Sequence, residues 1–446
     1  MNIIQKVLNL LDVDKRKAKK IVDDFVALTR KDRDVRSALY SKMISYVLDG
    51  MQWSRDELLA REDDPAYTLN VSEDYLDLYL AGLFPRNPRT QVLEIGVKSY
   101  APIDKRQSYE LAVLSAYRGN NLPMILLEQG NNFLTAGAAV LYYPPDPVTG
   151  KLAGIQSINP ADCYLQFDGL KLIGFAFFQM IERPGKSALK RFTYWDKDQV
   201  IISDDEDVVV YKNKFGIIPA SWIPNRPKPH KHEGRSKLVS IYDIDHEISI
   251  RASDWGKRIA DNTDPHLYVF SNKVKSNVQR GRRKVTELEI GADAKYLQVP
   301  DGSDIDKYLS FLIDRVKTKL SLVDSGGLVK SAVSGVSLAY QYNGMLSQIA
   351  YMRVHWDTAF RDMNRAILLY SFPSDPVASF DTDPLYHAAI PQDSRAKVDE
   401  YGVMLDHDLI SRRDAIDELR GVENPDQKLA EILVEKKKFT EIINQN

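Results

Sequence analysis

The chain has 446 residues, 44% of them apolar, enough for two or three ordinary domains with packed cores. Its 60 basic and 62 acidic side chains leave a formal charge of −2, which excludes nucleic-acid binding through a global positive field, so any basic surface is local. The single cysteine, Cys163, excludes a disulfide framework and cysteine-rich zinc modules and fits a reducing compartment, and no run nears the roughly 20 apolar residues of a membrane helix.

Residues 1–30 mix Leu and Ile with Lys and Asp, an amphipathic helix rather than a signal peptide, so a soluble protein made in the cytoplasm is expected. Residues 1–85 read mainly as helices, with Leu39, Met43, Ile44, Val47 and Leu48 on one stripe and Tyr75, Leu76, Leu78, Tyr79 and Leu83 on another. Residues 88–100 read as a strand and 107–131 as a helix. From about 133 to 225 short β segments broken by Pro, Gly and Asp take over: the Ala-Ala-Val-Leu-Tyr-Tyr run ending at Tyr143, Gly174–Ile181, Lys190–Trp195 and Val208–Lys212. The fold class is mixed α+β, rich in helix.

A helix over 236–260 carries Leu238, Ile241, Ile244, Ile248, Ala252, Trp255 and Ile259 on one stripe and closes at Asn262-Thr-Asp-Pro265. Leu267–Phe270 and a stretch around Tyr296–Val299 read as strands on either side of a basic segment. After Pro300-Asp-Gly302, Ser303 can cap a helix whose stripe is Ile305, Tyr308, Leu309, Leu312, Ile313, Val316, Leu320 and Val323. The stretch 325–337, with Gly326, Gly327, Gly335 and four serines, cannot hold a regular element for long. Tyr342, Met345, Ile349, Met352, Trp356, Ala359, Met363, Ala366 and Tyr370 then alternate steps of three and four, which predicts a helix over 338–372 about 52 Å long. A brief strand near Val377–Phe380 and a helical C-terminus complete the chain.

Three motifs could carry chemistry, and each has a plainer reading. Pro184-Gly-Lys-Ser187 offers the end of a phosphate-binding loop, but Met180 stands where the upstream glycine belongs and both flanks read as β, so a turn is expected. Asp204-Asp-Glu-Asp207 is a consecutive run that splays its carboxylates outward, where a Mg²⁺ site needs them converging from separate elements; a solvated hairpin turn is expected. His230 and His232 have no third ligand near them and read as loop. No enzyme, metal or cofactor is expected.

The order helix, small β insertion, helix, Gly/Ser loop, very long helix resembles the portal-protein (head-to-tail connector) family of tailed bacteriophages. Local sequence agrees: Thr68-Leu-Asn70 before a helix ending Leu83-Phe-Pro85-Arg-Asn-Pro88; Ile217-Ile-Pro219, Ile223-Pro-Asn225 and Gly234-Arg-Ser236 before the 236–260 helix; and Asp408-Leu-Ile-Ser411 with Asp414, Ile416, Leu419 and Gly421 at a helix start. The resemblance implies an N-terminal wing over 1–235, a first stem helix over 236–262, a clip over 263–303, a second stem helix over 304–323, a tunnel loop over 324–337, a tunnel-wall helix over 338–372, a return strand over 373–393 and crown helices over 394–446. It also implies a structural, conduit-like role: a homododecameric ring at one capsid vertex passing double-stranded DNA during packaging and ejection. Its implied partners are the terminase large subunit, the major capsid and scaffolding proteins, and the neck, adaptor and tail proteins, with no membrane. Two other readings stay open: a neck or adaptor scaffold without a DNA-lining tunnel, and a phage DNA-processing nuclease.

Within that frame two segments become candidate sites. Lys273, Lys275, Arg280, Arg282, Arg283 and Lys284 lie in a stretch without acidic residues, and like charges at that density need open water or anionic partners. As part of a clip they are expected to meet DNA phosphate or an acidic motor surface. Leu328, Val329, Lys330, Ser331 and Val333 fall in the Gly/Ser stretch, which reads either as a flexible linker or as the tunnel loop. A loop with one cation suits a channel that must not hold DNA, because each neutralised phosphate adds affinity through counterion release. On the long helix, Arg353, Arg361 and Arg365 stand at spacings that allow pairs with Asp357 and Asp362, within or between subunits.

Overall fold

A computed structural model of the chain describes residues 3–47, 50, 52–61, 66–87, 90–146, 149–183, 186–204, 207–227, 232–263, 267–270, 293–296, 303–322, 335–387, 401–407, 409–412, 415 and 429–434. It divides into two compact units: Met1–Val323 with Gly344–His387, and Asp324–Asn343 with Ala388–Asn446.

The first unit opens with α1 (Ile3–Val47). Ala18, Val22, Phe25, Thr29, Arg36, Tyr40, Met43 and Val47 are buried along it, at helical steps of three, four and seven. Leu39, which the sequence places on the core stripe, is 40% exposed, and Tyr40 at 1% takes the core position instead. The stripe of α1 covers one face of a five-stranded antiparallel sheet in the order β4 (Cys163–Asp168), β5 (Lys171–Arg183), β6 (Lys186–Asp196), β7 (Gln199–Ser203) and β8 (Val208–Lys212). Phe25 packs there with Tyr164, Ala176, Phe192, Tyr194 and Ile201. The alternate residues Phe175, Phe177, Trp195 and Val200 face the other way, onto Val140, Tyr142 and Ala220 of a second sheet. That sheet runs β3 (Gln156–Ser157), β2 (Ala138–Tyr142), β9 (Ala220–Pro224), and the Trp195 indole N–H donates to the Tyr142 hydroxyl across the gap (2.9 Å).

Helices fill the rest of the unit. The expected 107–131 helix is two, α4 (Ile103–Gly119) and α5 (Leu122–Thr135), broken at Asn121 with φ 50°. Pro123 sits in the first turn of α5, where its missing N–H is harmless; inside a continuous helix it would break the ladder. The helix α3 (Val71–Leu83) lies between α5 and the long helix α8 (Gly335–Ser371) at two glycines. A Cβ on Gly130 would overlap Leu80, and one on Gly82 would overlap Ile349. On α8, Met345, Ile349, Met352, Trp356, Ala359, Met363, Ala366 and Tyr370 are all buried. Trp356 packs edge-on against Phe84 (4.7 Å) and Phe133 (5.6 Å), so its truncation costs about 3–5 kcal/mol. At 1.5 Å per residue α8 is about 55 Å long; it begins at Gly335, three residues ahead of the expected start.

Two strand boundaries also differ from expectation. Val377–Ser379 is a 3₁₀ turn, and the strand is β12 (Thr382–Leu385), which pairs antiparallel with β1 (Gly96–Ser99). Asp381-Thr-Asp-Pro384 reads as a turn by composition, but β12 has a single neighbour, so Pro384 loses no ladder bond on its outer side. In the small insertion β11 (Asp293–Tyr296) starts three residues ahead of the expected strand and pairs antiparallel with β10 (Leu267–Phe270), while residues 297–299 of that expected strand lie outside the described residues. In the second unit residues 401–406 and 429–434 are helical, and the Ser411 carbonyl accepts from the Ala415 amide (3.0 Å).

Candidate functional site

The region of interest is where the helix pair α6 (Tyr242–Thr263) and α7 (Ser303–Leu320) joins the body of the first unit. The approach to α6 is held backbone to backbone. The Asn225 amide donates to the Gly137 carbonyl (2.8 Å), the Arg235 amide to Asn225 (2.6 Å) and the Lys237 amide to Leu134 at the end of α5 (2.9 Å). Gly137 has φ 90°, and a Cβ on Gly234 would run into its carbonyl, so both glycines of this crossing are required by contact.

The predicted stripe of α6 is partly right. Leu238, Ile241 and Ile248 are fully buried, but Ile259 is 50% exposed, and a second buried stripe beside the first is polar: Asp245, Ser249 and Ser253. The Ser249 and Ser253 hydroxyls accept from the backbone amides of Leu69 (3.3 Å) and Tyr67 (2.8 Å), and Gly256 leaves room for the Tyr67 ring. The Asp245 carboxylate accepts from Tyr46 (3.2 Å), Gln52 (3.4 Å) and Ser72. Burial pushes its pKa up, against the pull of Ser72 and Tyr46. Asn70, at the start of α3 with φ 37°, makes no side-chain cap; its amide donates to the Val47 carbonyl (3.0 Å).

At the far end of α7 the chain stops on Ser321 with φ 54°. The Ser321 amide returns to Thr318 (3.1 Å) and the Leu322 amide to Lys317 (2.9 Å), the 5→2 and 6→1 bonds of a Schellman stop. Here α7 meets Lys237, Tyr79 of α3 and Gln348 of α8. The Tyr79 hydroxyl bonds the Leu320 carbonyl, and Lys237 donates to Gln348 Oε1 with its ammonium over the Tyr79 ring (4.5 Å). Gln348 Nε2 donates to Ser321 Oγ (2.6 Å). Burial, with Arg226 nearby, pulls the Lys237 ammonium down to about 7.

The arginines of α8 are used differently from the expected pairing. Arg353 donates to the Gly82 (2.8 Å) and Leu83 (3.3 Å) carbonyls, closing the end of α3. Arg361 pairs with Asp383 (2.7 Å), Asp357 accepts from Tyr386 (2.8 Å), and only Arg365 meets Asp362 on its own helix (4.0 Å).

The six cations Lys273, Lys275, Arg280, Arg282, Arg283 and Lys284 lie outside the described residues, in the connection between the paired residues Phe270 and Asp293. Leu328, Val329, Lys330, Ser331 and Val333 also lie outside them, between the end of α7 and the start of α8. So do His230 and Asp414. The three motifs weighed for chemistry fall as follows. Lys186 is paired opposite Arg183 on an antiparallel hairpin, so no helix N-terminus follows it. Asp204 and Asp207 close the β7–β8 turn, with Asp207 also held by Lys15 (2.6 Å). His232 stacks on Phe167 (3.7 Å) and its carbonyl accepts from Trp222 (2.8 Å). Among the described residues no group of three or more His, Cys, Asp or Glu side chains could hold a metal, and no helix is long and apolar enough to cross a membrane. Sequence reasoning passed over Lys237, Asp245, Ser249, Ser253 and Gln348; the i, i+4, i+8 spacing of the α6 polar residues was a usable signal.

Residues 99–441 match the family described as "Phage portal protein, SPP1 Gp6-like". The chain belongs to this phage portal protein family, whose members are structural components of the capsid vertex rather than enzymes. The match begins after Thr68-Leu-Asn70, so that part of the resemblance falls outside it. A search of the curated proteins finds no match to the chain.

Proposed function

We propose that the protein is the subunit of a dodecameric ring at one capsid vertex, through which double-stranded DNA passes during packaging and ejection. In this reading residues 1–235 with the β1–β12 ladder form the wing, α6 and α7 the stem, 263–303 with β10 and β11 the clip, 324–334 (the expected 324–337 less the start of α8) the tunnel loop, α8 the tunnel wall and 394–446 the crown. The clip cations meet DNA phosphate or an acidic surface of the terminase motor, and later the neck proteins. Leu328, Val329, Lys330, Ser331 and Val333 face the DNA with too little positive charge to hold it. One observation carries the reading: within a chain that matches the portal family, two packed helices bracket a two-stranded ladder and are followed by a long helix. A closed ring needs head-to-tail contacts that close by rotation, and the exposed Tyr351 and Val354 of α8 supply apolar surface for such a contact.

Native mass spectrometry with negative-stain images of the same sample tests this. Twelve chains of 50.7 kDa give an assembly of about 608 kDa with a central channel. Rings whose 324–334 segments stay away from the lumen favour a neck or adaptor scaffold, and metal-dependent cleavage of plasmid DNA favours a nuclease.

A further inference from the structure

The residue that ends α7 is unusual for its place. A Schellman stop puts its C′ residue in the left-handed region, where glycine is the common choice and a side chain crowds the neighbouring carbonyl. Ser321 holds that position with φ 54°, and its hydroxyl accepts from Gln348 Nε2 (2.6 Å). Gly344, one turn before Gln348 on α8, has no Cβ, and one built there would lie 3.2 Å from Ser321 Cβ. The close approach of α7's end to α8 therefore depends on a glycine on one side and uses a serine on the other.

The groups behind this contact are hydrogen-bonded in an order. The Tyr79 hydroxyl has one proton and two acceptors in reach, the Leu320 carbonyl and Gln348 Oε1 (3.1 Å). Lys237, 7% exposed, donates to Gln348 Oε1 and leaves the Tyr79 proton for Leu320, one of the carbonyls a helix end leaves without an intrahelical donor. Gln348, oriented by Lys237, then presents its N–H₂ to Ser321. Every element at the junction contributes: α3 gives Tyr79, the entrance to α6 Lys237, the end of α7 Leu320 with Ser321 just after it, and α8 Gln348.

We propose that Lys237, Tyr79, Gln348 and Ser321 form a latch that fixes the end of α7 on α8 and on the entrance to α6, with Ser321 and Gln348 as positioning residues. In the proposed portal these would set where the second stem helix meets the tunnel wall; the latch rests on that reading only for what it positions. The strained serine is explained by its hydroxyl, which no glycine supplies.

Amide hydrogen exchange on the full-length protein, resolved to the last turn of α7, tests the latch. Gln348→Leu keeps the bulk of the side chain, removes the hydrogen bonds to Lys237 and Ser321, and leaves the Ser321 hydroxyl without its donor. Exchange at the Lys319–Leu322 amides should rise roughly ten-fold while the amides of β5 and β6 stay unchanged. Ser321→Gly relieves the backbone and breaks the same bond, and in the Gln348→Leu background it should slow exchange instead, because only the relief remains. Unchanged exchange in Gln348→Leu, or equal effects of Ser321→Gly in both backgrounds, would overturn the latch. Negative-stain images of the same samples report the portal reading separately. Accelerated exchange without rings in the parent protein supports the latch and defeats the portal reading, and intact rings with unchanged exchange do the reverse.

Discussion

Ser72, in the first turn of α3, donates its hydroxyl to Asp245 of α6 although 173 residues separate them. Tyr46 and Gln52 reach the same carboxylate, so an acid on one helix gathers α1, the chain after it and the start of α3. Truncation by Asp245→Ala takes the carboxylate acceptor from the buried Tyr46 and Ser72 hydroxyls, while Gln52 keeps Asn70 Oδ1 (3.2 Å), and should cost about 2–3 kcal/mol in urea unfolding. The pH dependence has a definite sign. Burial raises the folded carboxyl above its ordinary 3.8, so between that value and the raised one the folded state binds more protons than the unfolded. Asp245 therefore favours folding most below pH 3.8 and progressively less as pH rises through its folded value. Asp245→Asn should remove that slope, and a slope equal to the parent's would show that the carboxyl titrates normally.

Lys237 gives the mirror case. An ammonium lowered from 10.5 to about 7 makes the unfolded state the better proton binder between those values, so its contribution to stability rises with pH across that window and is flat below it. The change should be on the order of 2 kcal/mol, less than the full shift implies, because the Tyr79 ring and Gln348 favour the cation. Urea midpoints measured at pH 6.5 and pH 10 should differ less in Lys237→Met than in the parent, after both are corrected for their m-values. Equal differences would mean that Lys237 stays fully charged.

The crossing of Gly234 over Gly137 sets the entry to α6 and tolerates no side chain. Gly234→Ala places a methyl on a carbonyl, and Gly137→Ala adds a positive φ to a contact with the Ser236 amide (2.6 Å). Either should destabilise by about 3 kcal/mol or more. Alanine at Gly119, which has nothing within 4 Å and lies at a helix end, is the matched control and should change stability by less than about 1 kcal/mol. A Gly234→Ala protein as stable as the parent would show that the crossing can open.

What was legible in the sequence follows from the range of the interactions. The α8 stripe was readable because Met345, Ile349, Met352, Trp356 and Met363 repeat at the helical period, and burial follows that period over most of the helix. The β5 and β6 runs were readable because their Phe and Tyr residues alternate between two covered faces. Ser249 and Ser253 gave no local sign of burial, since their partners, the Leu69 and Tyr67 amides, are 180 and 186 residues away. Lys237 and Gln348, 111 apart, were hidden for the same reason. Pro123 was a local signal for the break between α4 and α5, since proline belongs in the first turn of a helix and not in its interior.

The basic connection between β10 and β11 supplies the functional prediction. Six cations without an acid among them either sit in water or meet an anion, and the two cases differ in salt dependence. If the ring of clips contacts DNA phosphate, reversing Arg282 and Arg283 to Glu should abolish packaging in a reconstituted reaction. Filter binding of DNA to the ring should then show a salt slope smaller by roughly 2, about 0.9 for each phosphate that is no longer neutralised. If the anion is the motor instead, DNA binding should keep its slope while terminase association disappears. The substitutions leave the described hydrogen bonds and packing of α6, α7 and α8 untouched, so rings should form in both cases. Packaging and motor binding at parent levels in assembled rings would leave these six residues as a solvated loop and remove the clip contact from the proposal.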